Sequence, residues 1–120
     1  DTGFATLLGD LKDRGLLEST LIVCQGEFGR TPRINGNSGR DHWPNTWSAV
    51  LAGGGIRGGQ AIGRTSQDGT QVVDHPLTVP DLIATVCKIV DIDPRKQNLS
   101  NVSRPIRIAD PDAKVITELL

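Results

Sequence analysis

Phe4, Leu7, Leu8 and Leu11 recur at i, i+3, i+4 and i+7, while Asp10, Lys12, Asp13 and Arg14 take the other faces. This 3.6-residue period predicts an amphipathic helix over residues 3–14, ended by Gly15 as a left-handed cap. Leu21-Ile22-Val23-Cys24 is an uninterrupted apolar run, too short for a helix and suited to a strand covered on both faces, as in a parallel sheet. Residues 47–52 read as a second such strand, stopped by Gly53-Gly54-Gly55. From Gln60 to Asp74, Ala61-Ile62-Gly63 and Gln71-Val72-Val73 flank an Asp68-Gly69 turn, which predicts a hairpin. Thr78 then supplies a capping hydroxyl, with the Asp81 carboxylate three positions on. Leu82, Ile83, Val86, Ile89 and Val90 follow as the apolar face of a second helix, which Asp91-Ile92-Asp93-Pro94 stops. Beyond it the chain is polar and punctuated by proline. Ile106 and Ile108 mark a short edge strand there, and Val115, Ile116, Leu119 and Leu120 a last helical turn docked on the core.

One long stretch fits no period. Residues 26–46 show neither helical nor alternating patterning, and an irregular connection of that length inside a compact domain is usually functional or disordered. It begins just past the predicted strand 21–24, and open α/β sheets gather ligands beyond the carboxyl ends of their strands. The segments Gly26-Glu27-Phe28-Gly29-Arg30-Thr31-Pro32-Arg33 and Arg40-Asp41-His42-Trp43-Pro44 concentrate carboxylates, arginines and one of the two histidines in this loop.

Composition narrows the classes. A chain of 120 residues with 37% hydrophobic content supports one modest core, so it is one domain or part of one. It contains no methionine, which points to a processed product or, as the favoured expectation, a piece of a longer protein. A net charge of −1, 3% aromatic content and the lack of a basic stripe exclude nucleic-acid binding by counterion release. No run approaches the roughly 20 apolar residues of a membrane span. Cys24 and Cys87 each lie in an apolar segment without CxxC spacing and read as buried structural thiols, with a disulfide as the alternative.

Glu27, Asp41 and His42 are residue types that ligate divalent metals such as zinc or manganese. One loop with a single histidine is unspecific, and a solvated loop in which Glu27 pairs with Arg30 or Arg33 accounts equally well for it. Arg30, Arg33 and Arg40 suit an anion, because guanidinium forks match phosphate, sulfate or carboxylate, and Arg30 lies nearest the strand end. Salt bridging is the alternative for all three. Thr31 has no neighbouring base and reads as a turn residue before Pro32, and His75 in Asp74-His75-Pro76 as a histidine at a surface turn. Trp43 and Trp47 either stack on a sugar or base or, more commonly, anchor the loop. The glycines from 53 to 59 lack the Gly-Lys-Ser/Thr of a phosphate loop and read as a flexible turn.

Taken with Ala52-Gly53-Gly54-Gly55 and Val79-Pro80-Asp81-Leu82, the two loop motifs closely resemble the C-terminal part of a bacterial, sulfatase-like family called domain of unknown function 1501. The resemblance covers nearly the whole chain and implies a branch of the alkaline phosphatase superfamily. The implied fold is α/β, the C-terminal portion of a three-layer α/β/α architecture with a mostly parallel sheet and a small hairpin. The implied organisation is residues 1–120 as a single C-terminal fragment. The implied activity is metal-dependent hydrolysis or transfer of sulfate or phosphate esters, with a small anionic ester as substrate and Zn, Mn or Ca as cofactor. Glu27 then takes the place of a ligand Asp and His42 that of a later ligand His, while Phe28 stands where a second ligand His would be. Arg30 would hold the anion, with Arg40 and Asp41 behind the ligands. The nucleophile segment is not among these residues, so no catalytic residue is expected here and the piece alone is inactive. A non-catalytic binding or scaffold protein retaining the fold is the alternative. Two further expectations are an extracytoplasmic location, from the resemblance, and a homodimer through an exposed sheet edge.

Overall fold

The computed structural model describes residues 1–120. Two α-helices, α1 (Thr2–Asp13) and α2 (Val79–Ile89), accompany eight short strands. The strands are β1 (Leu21–Gln25), β2 (Gly29–Arg30), β3 (His42–Trp43), β4 (Ala49–Gly53), β5 (Arg64–Thr65), β6 (Val72–Asp74), β7 (Gln97–Leu99) and β8 (Pro105–Arg107). They pair only as two-stranded ribbons, β1 with β4, β2 with β3, β5 with β6 and β7 with β8. By contact density the chain divides into one unit of Asp1–Ile22, Ala52–Gly58 and Leu77–Leu120, and another of Val23–Leu51 and Gly59–Pro76.

In the first unit, α1 starts where the Asp1 carboxylate accepts the Phe4 N–H at 3.1 Å. It ends at Gly15, whose φ of 69° supplies the left-handed turn. None of its residues is buried. Gly53, the last residue of β4, has φ 71°, and a Cβ there would lie 2.7 Å from the Leu17 carbonyl oxygen. The glycines at the end of β4 thus let two backbone segments meet, and the Gly54 N–H donates to that same carbonyl at 2.9 Å.

Helix α2 carries most of this unit's core. Leu82, Ala84, Thr85 and Cys87 are buried on it, and Ala109 and Ile116 complete the buried set. The buried stripe differs from the one predicted, since Val90 is 47% exposed while Thr85 is fully enclosed. Thr85 is tolerated because its hydroxyl donates to the Asp81 carbonyl at 2.7 Å and accepts the Ile116 N–H at 2.9 Å. The predicted capping box forms. Thr78 Oγ1 accepts the Asp81 N–H at 3.3 Å, and Asp81 Oδ2 accepts the Thr78 N–H at 2.8 Å. The other carboxylate oxygen of Asp81 accepts the Lys114 N–H at 2.7 Å, tying the C-terminal segment to the helix start. The predicted last helical turn is a short 3₁₀ turn, Thr117–Leu119. Ile106 lies in β8, which pairs antiparallel with β7, a strand whose Gln97-Asn98-Leu99 sequence carries no apolar alternation.

In the second unit only Gly29 is buried. The segment without periodicity contains an antiparallel ribbon, with Gly29 opposite Trp43 and Arg30 opposite His42. The predicted hairpin is present as β5 and β6 around the Asp68-Gly69 turn, with its first strand later than expected, at Arg64–Thr65 rather than 61–63.

The expected mostly parallel sheet in a three-layer α/β/α fold is overturned. No sheet exceeds two strands, only two α-helices are present, and the ribbons β2–β3, β5–β6 and β7–β8 are antiparallel. The physical reason lies in the connections. A parallel pair needs a crossover of a dozen or more residues, whereas β5–β6 and β7–β8 are joined by turns of a few residues. Strands read as covered on both faces are also open, with Val23 38% and Val50 51% exposed. The same correction applies to Cys24. It is exposed, Cys87 alone is buried, and both are free thiols. No helix is long and apolar enough to cross a membrane.

Candidate functional site

The loop between β1 and β4 is shaped by its glycine and arginine. A Cβ on Gly29 would overlap the Thr46 carbonyl and sit 2.6 Å from the Trp43 carbonyl oxygen, so only glycine lets β2 lie this close to the returning chain. Arg40 is committed to the loop itself, its Nη1 donating to the Thr31 carbonyl at 2.7 Å and to the Pro32 carbonyl. Thr31 is a turn residue in fact. Its hydroxyl donates to the Arg33 carbonyl at 2.9 Å and accepts the Asp41 N–H at 3.0 Å, while its own N–H donates to the Asp41 carbonyl at 3.0 Å. Asp41 also accepts from Asn35 Nδ2 at 2.8 Å, so Arg40 and Asp41 both serve the loop's geometry.

This frame brings three of the candidate side chains together. Arg30 and His42 are cross-strand partners, and residues so placed have Cβ atoms about 5 Å apart. The Phe28 ring joins them, with its centroid 3.8 Å from that of His42 and the Arg30 guanidinium carbon 5.0 Å from its own centroid. Arg30 Nη1 donates to the Arg40 carbonyl at 3.2 Å, which fixes the guanidinium over the ring. Glu27, exposed at the start of the loop, forms no ion pair with Arg30 or Arg33, so the salt-bridged loop is not what folds. The carboxylate of Glu27 and both ring nitrogens of His42 are free of protein hydrogen bonds.

The fit to a metal is incomplete. Nowhere does the chain gather three or more His, Cys, Asp or Glu side chains in a cluster able to hold an ion. A catalytic zinc takes three protein ligands and a structural one four. Glu27 and His42 have the right chemistry but do not close a site by themselves.

A groove of about 630 Å³ lies in the same unit, lined by loop residues including Arg33, Asp41 and Trp43 and, from the hairpin turn, Asp68 and Thr70. The hairpin is held to the loop by Thr46 Oγ1, which donates to the Gly69 carbonyl at 2.9 Å. The Ser66 hydroxyl, then the Thr70 hydroxyl and N–H, hold the Asp68 carboxyl below the usual carboxylate range. Asp68 and Thr70 were absent from the sequence-derived candidates because Asp68-Gly69 explains itself as a turn. Only the Ser66-x-Asp68 spacing hinted at a side chain held ready. Trp43 and Trp47 are half-buried, and each buries its indole N–H without an acceptor.

No curated protein and no solved structure matches the chain. A family model described as "Protein of unknown function (DUF1501)" matches residues 1–120, a span that takes in all four motif segments of this sequence. The chain therefore belongs to the DUF1501 family.

Proposed function

We propose that this chain is part of a metal-dependent hydrolase or transferase acting on sulfate or phosphate esters. The observation that carries the reading is the pairing of Arg30 with His42 across the β2–β3 ribbon. Arg30 holds the anionic group of a small ester, its guanidinium kept in place by the Phe28 ring and the Arg40 carbonyl. Glu27 and His42 supply two ligands of a divalent cation, Zn, Mn or Ca, whose remaining ligands and nucleophile lie outside these residues. When bound, such a cation supplies Lewis-acid stabilisation of charge on the transferring group. Arg40 and Asp41 fix the loop so that Arg30 and His42 stay side by side. The test is metal content together with hydrolysis of p-nitrophenyl sulfate and p-nitrophenyl phosphate by the whole protein. Bound metal and metal-dependent hydrolysis, with metal lost in Glu27→Ala and His42→Ala, is the expected result. A protein that binds no divalent metal and hydrolyses neither ester overturns it.

A second reading is a non-catalytic binding or scaffold protein of the same ancestry. The close Phe28–His42 contact favours it, because a phenyl ring occupies one face of the imidazole and cannot itself ligate. On this reading Glu27→Ala and His42→Ala leave partner binding intact. Loss of bound metal in either variant counts against it.

A further inference from the structure

The groove beside the loop is set apart from the Arg30–His42 pair by what lines it. We propose that it is a binding site for a neutral carbohydrate, a mono- or disaccharide unit seated on Trp43 and hydrogen-bonded by Arg33, Asp41 and Asp68. Its volume of about 630 Å³ falls within the range of small-molecule sites. Trp43 offers the groove an apolar surface only, because its N–H is buried away from solvent. Pro32 and Ile34 extend that apolar lining, and Ile34 is 54% exposed. A flat carbon surface of this kind suits the C–H face of a sugar ring.

The polar groups of the lining select further. Arg33 is exposed, and its guanidinium has neither a hydrogen-bond partner nor an ion pair. Asp41 uses one carboxylate oxygen for Asn35, and Asp68 uses one for Ser66, Thr70 and the Thr70 N–H, which leaves the second oxygen of each to accept from a ligand. Those internal bonds hold both carboxylates in place beforehand, so little freedom is lost when a ligand arrives. A simple anion meets two carboxylates and a simple cation meets a guanidinium. A hydroxyl, which donates and accepts, satisfies both kinds of group. A peptide added as an extra strand finds little support, because the strands of this unit other than β1 and β4 are two or three residues long.

The test is an amide- and indole-resolved NMR titration of the protein with glucose, galactose, mannose, cellobiose and lactose, and separately with sodium sulfate and trialanine. At least one sugar is expected to produce saturable shifts at residues 32–36, at 68–70 and at the Trp43 indole. Arg33→Ala, which breaks no internal bond, is expected to weaken that binding about tenfold, the loss of one charged hydrogen bond. Asp41→Asn provides a second variant that keeps the Asn35 contact through its carbonyl oxygen. Saturation by none of the sugars, saturation by sulfate or trialanine alone, or unchanged sugar affinity in both variants overturns the proposal. None of these readouts depends on metal at Glu27 and His42, so failure here is distinct from failure of the esterase reading.

Discussion

The two units solve the same problem with different chemistry. Around α2, order comes from enclosure, and six residues (Leu82, Ala84, Thr85, Cys87, Ala109 and Ile116) are buried together. In residues 23–51 and 59–76 only Gly29 is buried, and order comes from side chains that bond to backbone: Arg40 to residues 31 and 32, Asn35 to 37 and 39, Thr46 to 69 and Asp68 to 70. Each such bond contributes only about 1 kcal/mol net, whereas a buried leucine contributes about 2–3 kcal/mol by leaving water. The lesson is that the chemistry-bearing unit is held by many small, directional terms. It keeps donors and acceptors near solvent, where a ligand can reach them.

The sharpest way to break the contrast is Leu82→Ala, expected to destabilise the α2 unit by about 2–5 kcal/mol, a loss read as a lower denaturant midpoint by circular dichroism. Gly29→Ala should cost less, about 1–3 kcal/mol, because the loop rather than a core must yield to the new methyl. Its signature is local. Amide signals of residues 29–46 should move while those of α2 stay in place, and a change spread equally over both units would erase the distinction drawn here. The smallest effect concerns Asp81. The Lys114 N–H, then the Thr78 hydroxyl, hold its carboxyl below the usual carboxylate range. A carboxyl lowered on folding gives its full stabilisation above the unfolded pKa and loses it as pH falls through the lower folded value. Melting temperature should therefore decline below about pH 4, and Asp81→Asn should flatten part of that decline. Asp68 and Asp93, lowered in the same sense, account for further acid sensitivity.

The same division explains what the sequence disclosed. The α1 period, the Gly15 cap and the Thr78–Asp81 capping box are local patterns, and local patterns survive whatever surrounds them. The apolar runs at β1 and β4 were legible as strands, but their partners were not, since Leu21-Ile22-Val23-Cys24 carries no record of what pairs with it. Reading both runs as central members of a parallel sheet came from treating apolarity as burial, and Val23 and Val50 contradict it. At the site, Glu27, Arg30 and His42 stood out by residue type. That Arg30 and His42 face each other depends on a two-residue ribbon held by Gly29, too short to leave any period. The part of Asp68 and Thr70 in the groove depends on contacts between segments more than 20 residues apart, such as Thr46 with Gly69.

One carboxylate also ties a distant segment to the helix start. Asp81 reaches Lys114 across 33 residues of chain, and the same side chain is steadied by Thr78, the residue that caps α2. The Thr78 cap thus holds the acceptor for residue 114 in position, coupling this span to the helix start. The entropy of closing such a span grows only slowly with its length, and one charged bond together with the Ile116–Thr85 contact suffices to hold it. In native-state hydrogen exchange the amides of 114 and 116 should thus open together, before those of α2, giving the C-terminal segment its own detachment step ahead of global unfolding.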